Sequence, residues 1–461
     1  MSGALSPSPV LPFLRLPVGN SEEVPQQRLG RILRAIRTHL HMDVAFLSEF
    51  ENGRRFFRFV DSLHPNQPVK VDASDPLEET YCQRVVDGRL PGLIPDAAQL
   101  AEARSLPVTM ALPVGAHISV PIRLKDGEIY GTFCCFSFTP DTSLNPRDLA
   151  MMNVFADIAA EQIEQDLESR RTKEEAATRI NAVLDRDMLS IVYQPIYHMR
   201  DRRIVGFESL SRFSASPTRS PDIWFNEAAQ VGLGITLEIK AIQLALQGLR
   251  HLPQDVYIAV NVSPETILAG EFQRALADCP LERIVLEVTE HAAIAHYRDI
   301  AAVVNPLRER GLRLAVDDAG AGYASFRHIL SLAPDVIKLD ISITKNIDID
   351  RSRRALARAL ISFGEETNSK VVAEGVETAG ELSVLRELGV NKAQGYFIGK
   401  PTPIANAAAL IVEGIRLTPD SALPSLVTSQ DTLRGPQNPY KTHGEDVDYR
   451  KGLGAVRSIC P

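Results

Sequence analysis

The chain has 461 residues, of which 44% are hydrophobic and 23% charged, with 50 basic residues against 58 acidic ones and a formal net charge of −8. That length accommodates two or three domains, each with a core of its own. The charge balance excludes a non-specific binder of duplex nucleic acid, which needs clustered basic residues to displace phosphate counterions; no apolar run reaches the ~18 residues of a membrane span.

Residues 1–24 are rich in proline and small residues without a sustained period, and are expected to form a disordered lead. From Gln27 to His41, Leu29, Ile32, Leu33, Ile36 and Leu40 recur at helical spacing. Strand-like runs follow in VAFLSEF, RRFFRFV, HISVPIRL and IYGTFCCFSF, the last two joined through an Asp-Gly hairpin turn at LKDGEIYG. A helix from about Pro146 carries Leu149, Met152, Phe155, Ala156, Ala159, Ile163 and Leu167 on one face, and after ESRRTKEE the pattern resumes at Ala176, Ile180, Val183 and Leu184. One helix thus joins two domains, as a spacer or as a coiled coil that makes a homodimer. The expected boundaries are 25–165 for the first domain, 166–187 for the connecting helix, 188–417 for a second domain and 418–461 for a disordered tail rich in Pro, Ser, Thr, Asp and Gly.

The five cysteines, Cys82, Cys134, Cys135, Cys279 and Cys460, are odd in number and lack CxxC or zinc-ligand spacing. Reduced thiols are expected. With no basic-then-apolar leader at the N-terminus, a cytoplasmic protein without membrane association follows.

In the second domain, short apolar runs alternate with helical patterns, which implies a largely parallel sheet; eight such runs favour a closed barrel. Each run carries an acid, amide or lysine: Gln194, Glu208, Asn261, Glu287 with Glu290, Asp317 with Asp318, Lys338 with Asp340, Glu374 with Glu377, and Gln394. Side chains alternate along a strand, so Lys338 and Asp340 face away from Ile337 and Leu339. So many carboxylates at buried strands must converge on positive charge. In barrels of this kind, reactive groups sit at the carboxyl ends of strands. Oxygen ligands without histidine or cysteine select Mg²⁺ or Mn²⁺ over zinc, and adjacent aspartates suit a two-metal site for phosphoester hydrolysis. Lys338 and Arg212 offer local positive charge to a phosphate. His198 and His291 read as surface or satisfied histidines, and Trp224 as a packing residue.

YQPI (193–196), FESLSRF (207–213), NVS (261–263), LEVTE (286–290), DDAGAGYAS (317–325), KLD (338–340), EGVE (374–377) and QGY (394–396) stand in one order over about half the chain. In that order they resemble the EAL-domain family of cyclic di-GMP phosphodiesterases. The resemblance implies a modified (β/α)8 TIM-like barrel in an α/β fold, and metal-dependent hydrolysis of cyclic di-GMP to linear pGpG. It implies metal ligands at Glu208, Asn261, Glu287, Asp317, Asp318 and Glu374, with Asp317 bridging two cations. Glu374, Lys338 and Asp318 take catalytic roles by the same resemblance, Glu374 as a proposed general base and Lys338 at the attacking water or a phosphate oxygen. Gln194, Leu210, Arg212, Asp340 and Gln394 would bind substrate, Glu290 would hold the loop after the double aspartate, and Glu377 would complete the site. On the residues alone, Glu290, Glu377 and Asp340 also read as supporting or surface acids, and Arg212 as the partner of a helix acid.

Two positions depart from the family pattern: Ser209 replaces alanine in the EAL triplet, and Ala319 replaces the phenylalanine of DDFG. Loss of that ring either loosens the loop or leaves it to be packed by another side chain. Alternatives to the enzyme are a catalytically inactive cyclic di-GMP receptor and a protein-interaction scaffold. No GG(D/E)EF run occurs, so synthesis of cyclic di-GMP is not expected.

The first domain resembles a GAF module, an α+β sensor fold, in MDVAFLSEF, ETYCQRVVDGRLPGLIPDA, VGAHISVPIRLKDGEIYGTFC and FADIAAEQIEQ. The resemblance implies regulation of the barrel by a ligand that the sequence leaves unidentified. Cys82 and His117 admit a chromophore or haem reading beside the commoner one of packing residues.

Overall fold

The computed structural model describes residues 25–63, 69–288, 297–319 and 324–414. The first domain is built on a six-stranded antiparallel sheet, in spatial order Ser74–Pro76, Arg54–Ser62, Val44–Glu51, Ile129–Ser137, Ala116–Arg123 and Leu93–Ile94. Alternation along the strands feeds two cores. Ala45, Leu47, Phe133 and Cys135 pack on one face beneath the Pro25–His39 helix and the first half of a long helix, Pro146–Asp185. Val44, Phe46, Cys134 and Phe136 pack on the other face against Tyr81, Cys82 and short helices. The hairpin closes through a three-residue loop, Lys125 to Gly127, rather than a two-residue one: the Leu124 amide donates to the Glu128 carbonyl, the Gly127 amide to the Leu124 carbonyl, and Gly127 takes the left-handed position at φ +88°.

The long helix is 40 residues, capped by Asn145, whose side chain accepts from the Arg147 amide while Asp148 returns the bond to the Asn145 amide. Its N-terminal half buries Met152, Ala156, Ala159 and Ile163 against the sheet. Its C-terminal half buries Ile180 and Val183 against Trp224, Ala228 and Leu237 of the second domain. Arg179 pairs with Glu227 at 2.5 Å across that junction.

In the second domain eight strands close a barrel, in order Ile284–Val288, Arg313–Ala319, Val336–Leu339, Lys370–Ala373, Lys392–Ala393, Leu189–His198, Arg203–Phe213 and Tyr257–Asn261. The expected α/β barrel is therefore present. Its modification is specific: Leu189–His198 runs antiparallel to both neighbours, Arg203–Phe213 and Lys392–Ala393, whereas the other pairings are parallel. A tight hairpin joins the first two strands, where a parallel pair needs a long crossover. Gln194 and Glu208, paired in register, consequently stand mid-strand, so the expectation that every polar residue lies at a carboxyl end fails for these two.

Ile196, Val205, Tyr257, Ala259, Val285, Ala315, Val336 and Val372 fill the barrel as one apolar cluster, Tyr257 one level below Ala259 on its strand. Ile258, Val260, Leu286, Leu314, Val316 and Ile337 face outward to the surrounding helices. Burying both faces explains why these strands read as continuous apolar runs. Among the described residues no helix is long and apolar enough to cross a membrane.

Candidate active site

Two residues beyond the apolar layer, on the same inward face, come the polar ones: Ala259 leads to Asn261, Val285 to Glu287, Ala315 to Asp317, Val336 to Lys338 and Val372 to Glu374. Period-two alternation thus stacks a charged layer directly on an apolar one. At its centre lies Lys338, 1% exposed, with Nζ 2.8 Å from Glu374 Oε1, 2.9 Å from Glu287 Oε2, 3.1 Å from Asp317 Oδ1 and 3.6 Å from Glu208 Oε1. Four carboxylates face one ammonium. Burial pushes the Glu287 and Glu374 carboxyls well above the usual range; Lys338 works against this, and the neighbouring acids reinforce it. Burial alone lowers the Lys338 ammonium, yet Asp317, Glu208, Glu287 and Glu374 together hold it well above the ordinary lysine value.

Asp317 and Asp318 are adjacent, and strict alternation sends them to opposite faces. The strand avoids this with a bulge between Val316 and Ala319, where Asp318 adopts φ +54°. For a non-glycine residue that conformation costs roughly 1 kcal/mol, and it is the kind of local strain found at functional sites. The Asp318 amide donates to Asp317 Oδ1 at 3.0 Å. Carboxylate oxygens of Glu208, Glu287 and Asp317 lie within 4.8 Å of one another, as do those of Asp317, Asp318 and Glu374. The two groups share Asp317.

Asn261, the last residue of its strand, donates from Nδ2 to Glu208 Oε1 at 3.3 Å. Gln394 donates from Nε2 to Gln194 Oε1 at 3.1 Å and also to Glu208 Oε2, and Gln194 Nε2 donates to the Gly399 carbonyl at 3.2 Å. Asn261 and Gln394 therefore both donate to the Glu208 carboxylate, and Gln194 holds Gln394. Leu210 is half-buried and Arg212 exposed farther along the same strand, Arg212 Nη1 donating to the Ser211 carbonyl at 2.8 Å.

Two of the expected site residues stand apart from the lysine cluster. Asp340 caps the Ile341–Thr344 helix by accepting from the Ser342 amide at 2.8 Å. Glu377 is exposed and 3.4 Å from Lys345 Nζ. Glu290, the expected loop anchor, lies outside the described residues, as do His291, Cys460 and the loop 320–323. His198 pairs with Asp201 at 3.1 Å away from the acidic layer, and Trp224 is fully buried against Phe213.

The departures from the family pattern are settled differently. Ser209 points out of the acidic cluster and donates to the Ala259 carbonyl at 2.7 Å, so its hydroxyl is bonded inside the wall. Ala319 is fully buried at the strand end, its carbonyl accepting from the Asp340 amide at 3.4 Å.

Glu381 and Thr344 were not among the expected residues. Glu381, 2% exposed, accepts from the amides of Asn346 at 2.8 Å, Glu377 at 2.8 Å and Thr378 at 3.0 Å. Thr344 Oγ1 donates to the Glu374 carbonyl. Gly375, at φ +63° with Ile341 where a Cβ would stand, lets the chain turn immediately after Glu374. The Thr-x-x-Glu spacing of Thr378 and Glu381 is a capping-box pattern readable in sequence.

Residues 177–401 match the family model for the EAL domain, and residues 25–163 that for the GAF domain. The chain thus carries an EAL domain preceded by a GAF domain. It is 33% identical over 235 residues to the cyclic di-GMP phosphodiesterase NbdA of Pseudomonas aeruginosa, covering 48% of this chain and 30% of that one. It is 29% identical over 237 residues to the probable cyclic di-GMP phosphodiesterase PdeD of Escherichia coli, covering 49% of this chain and 44% of that one. The chain thus spans less than half the length of these two relatives. In fold it resembles the EAL enzyme Bd1971 in its cAMP- and cyclic-di-GMP-bound form, at a TM-score of 0.51 and 16% identity over 80% of this chain and 93% of that one.

Proposed function

We propose that the barrel hydrolyses one phosphodiester of cyclic di-GMP to linear pGpG, using divalent cations held by the acidic layer, and that the GAF domain regulates it. The observation that carries this reading is the charge deficit around Lys338: four carboxylates converge on one buried ammonium and, with Asp318, form two overlapping oxygen groups that share Asp317. Such a deficit is costly unless further positive charge enters, and all-oxygen donors fit Mg²⁺ or Mn²⁺.

Glu208, Asn261, Glu287 and Asp317 would hold one cation, and Asp317, Asp318 and Glu374 the other. Bound there, the cations supply charge to the phosphate oxygens and acidify water. Lys338 stays protonated and orients the carboxylates about it. Glu374 accepts the proton of the attacking water, its backbone held by Thr344 and Gly375. Asn261 and Gln394 keep Glu208 in one rotamer, Gln194 holding Gln394 in turn, and Leu210 and Arg212 flank the mouth where a base and a phosphate would lie. Asp340 acts through its helix cap and Glu377 through the loop that follows Glu374. The names of the relatives support this substrate. The protein is read as acting in the cytoplasm, as a homodimer, without duplex nucleic acid or membrane.

The test is product formation from cyclic di-GMP by the full-length protein with Mg²⁺ or Mn²⁺. Appearance of pGpG confirms the reading, and its absence at saturating nucleotide and metal overturns it.

A further inference from the structure

The first domain contains a second buried polar cluster, unrelated to the barrel chemistry. Cys82, in the short Tyr81–Val86 helix, and Cys134, on the central Ile129–Ser137 strand, are both fully buried with their sulfurs 3.6 Å apart. The Arg55 guanidinium, 5% exposed, reaches in from the Arg54–Ser62 strand of the same sheet with Nη1 3.1 Å from Cys82 Sγ, while its Nη2 meets Asp75. Arg55 also stacks over Phe57 at 4.3 Å. On the far side, Cys134 Sγ lies 3.0 Å from Ser119 Oγ and 3.2 Å from Thr132 Oγ1. The two sulfurs are therefore unequal: one faces a cation, the other two hydroxyls.

Burial raises a thiol, but at Cys82 the contact with Cys134 and the Arg55 charge overcome it and hold the thiol below its usual range. Cys134 is driven the opposite way by burial and by Cys82. His117 stacks on Tyr81 at 4.7 Å and remains in the core, with Nδ1 buried and unpartnered, and burial takes its imidazole down to about 3. No metal-holding group that includes Cys82, Cys134 or His117 forms among the described residues.

We propose that Cys82 and Cys134 are a hydroperoxide-responsive dithiol that closes to a disulfide inside the GAF domain. The Cys82 thiolate attacks the terminal oxygen of a hydroperoxide, forming an S–O bond and breaking the O–O bond; sulfur loses two electrons, and the leaving alkoxide or hydroxide takes a proton from solvent. Cys134 sulfur then attacks the Cys82 sulfenic acid, forming S–S and breaking S–O, and the departing hydroxide takes the Cys134 proton and leaves as water. Closing the bond removes the negative partner of Arg55 and leaves that guanidinium with Asp75 alone.

The experiment treats the full-length protein with increasing hydrogen peroxide, quenches, unfolds, alkylates and maps the cysteines by mass spectrometry. Expected are the loss of two of the five alkylatable thiols, a fall of 2 Da on disulfide formation alone (~2 hydrogens), and a Cys82–Cys134 linked peptide before any change at Cys135 or Cys279. In Cys134→Ser, dimedone should trap a sulfenic acid at Cys82. Arg55→Met should slow thiol loss on the order of tenfold. Oxidation of Cys279 ahead of Cys82, a linkage to any other cysteine, or five intact thiols at doses that already oxidise methionine would overturn the proposal. The mapping on the unmodified protein decides it even if a variant fails to fold.

Discussion

Lys338 Nζ lies 2.9 Å from Glu287 Oε2, with 1% of the one side chain and 2% of the other exposed. A pair so enclosed is worth little against an apolar replacement of both partners, but loss of either alone strands the other. Lys338→Met leaves four carboxylates facing one another. We expect it to destabilise the cation-free protein by roughly 3–5 kcal/mol, with much of the loss recovered on adding Mn²⁺, both read from urea unfolding. Equal loss with and without Mn²⁺ would argue that no cation enters this cluster.

Glu208→Ala removes a carboxylate common to the lysine cluster and the Gln394 bond. Hydrolysis of cyclic di-GMP should fall by more than about 100-fold, beyond what a merely supporting partner of a metal ligand costs. Circular dichroism should show the fold intact. Retention of most activity would remove Glu208 from the assigned ligands.

Chelation provides an independent check. Ions that bind the native state and not the unfolded chain raise stability by about 2.7 kcal/mol at one hundred times their dissociation constant. Mn²⁺ or Mg²⁺ should therefore raise the melting temperature, and EDTA should reverse the rise. The shift should vanish in the double variant Asp317→Asn, Asp318→Asn.

Ser209→Ala separates the wall of the site from the site itself. Its hydroxyl is committed to the Ala259 carbonyl, so the substitution should cost about 1 kcal/mol with kcat unchanged. A large change in kcat would place the hydroxyl within reach of the reaction.

At the opposite end of the barrel, Lys392 Nζ is 3.0 Å from Tyr257 Oη, and burial, followed by Arg313 and Lys370, brings its pKa down to about 8. Between that value and the ordinary 10.5 the unfolded chain binds more protons than the folded one, so stability attributable to this group rises with pH. The penalty is fully present below pH 8 and disappears toward 10.5. Lys392→Met should be the more stable protein at pH 7 by about 3 kcal/mol, and the gap should shrink steadily above pH 8 and close only beyond pH 10.5 in urea titrations at each pH.

Much of this arrangement was legible in the sequence because period-two alternation is a strong constraint. Lys338 inside and Ile337 and Leu339 outside follow directly from it, and so does the placing of Glu287 above Val285. Alternation also misleads where the backbone departs from it. Asp317 and Asp318 reach the same cluster through a bulge that no residue pattern announces, and the direction of the Leu189–His198 strand is set by closure of the barrel rather than by its own residues. Asp340 shows a further limit: a polar residue two places after Lys338 reads as another inward group, yet the strand ends at Leu339 and the carboxylate caps a helix. Arg55 went unread because in RRFFRFV it looks like one of several surface arginines. Only the approach of the Tyr81–Val86 helix turns it into a buried cation.

Between Leu167 and Ala176 the 40-residue helix leaves both cores and is solvent-exposed on nearly every side. It is a shaft with a bearing at each end. With 3.6 residues per turn, deleting one residue in that stretch turns one bearing by about 100° against the other and shortens the span by about 1.5 Å. Inserting seven residues restores the angle to within about 20° while adding about 10 Å. Angular phase and length along this rod can therefore be varied separately, and whichever of the two the sensor uses to address the barrel will show in which insertions stay regulated.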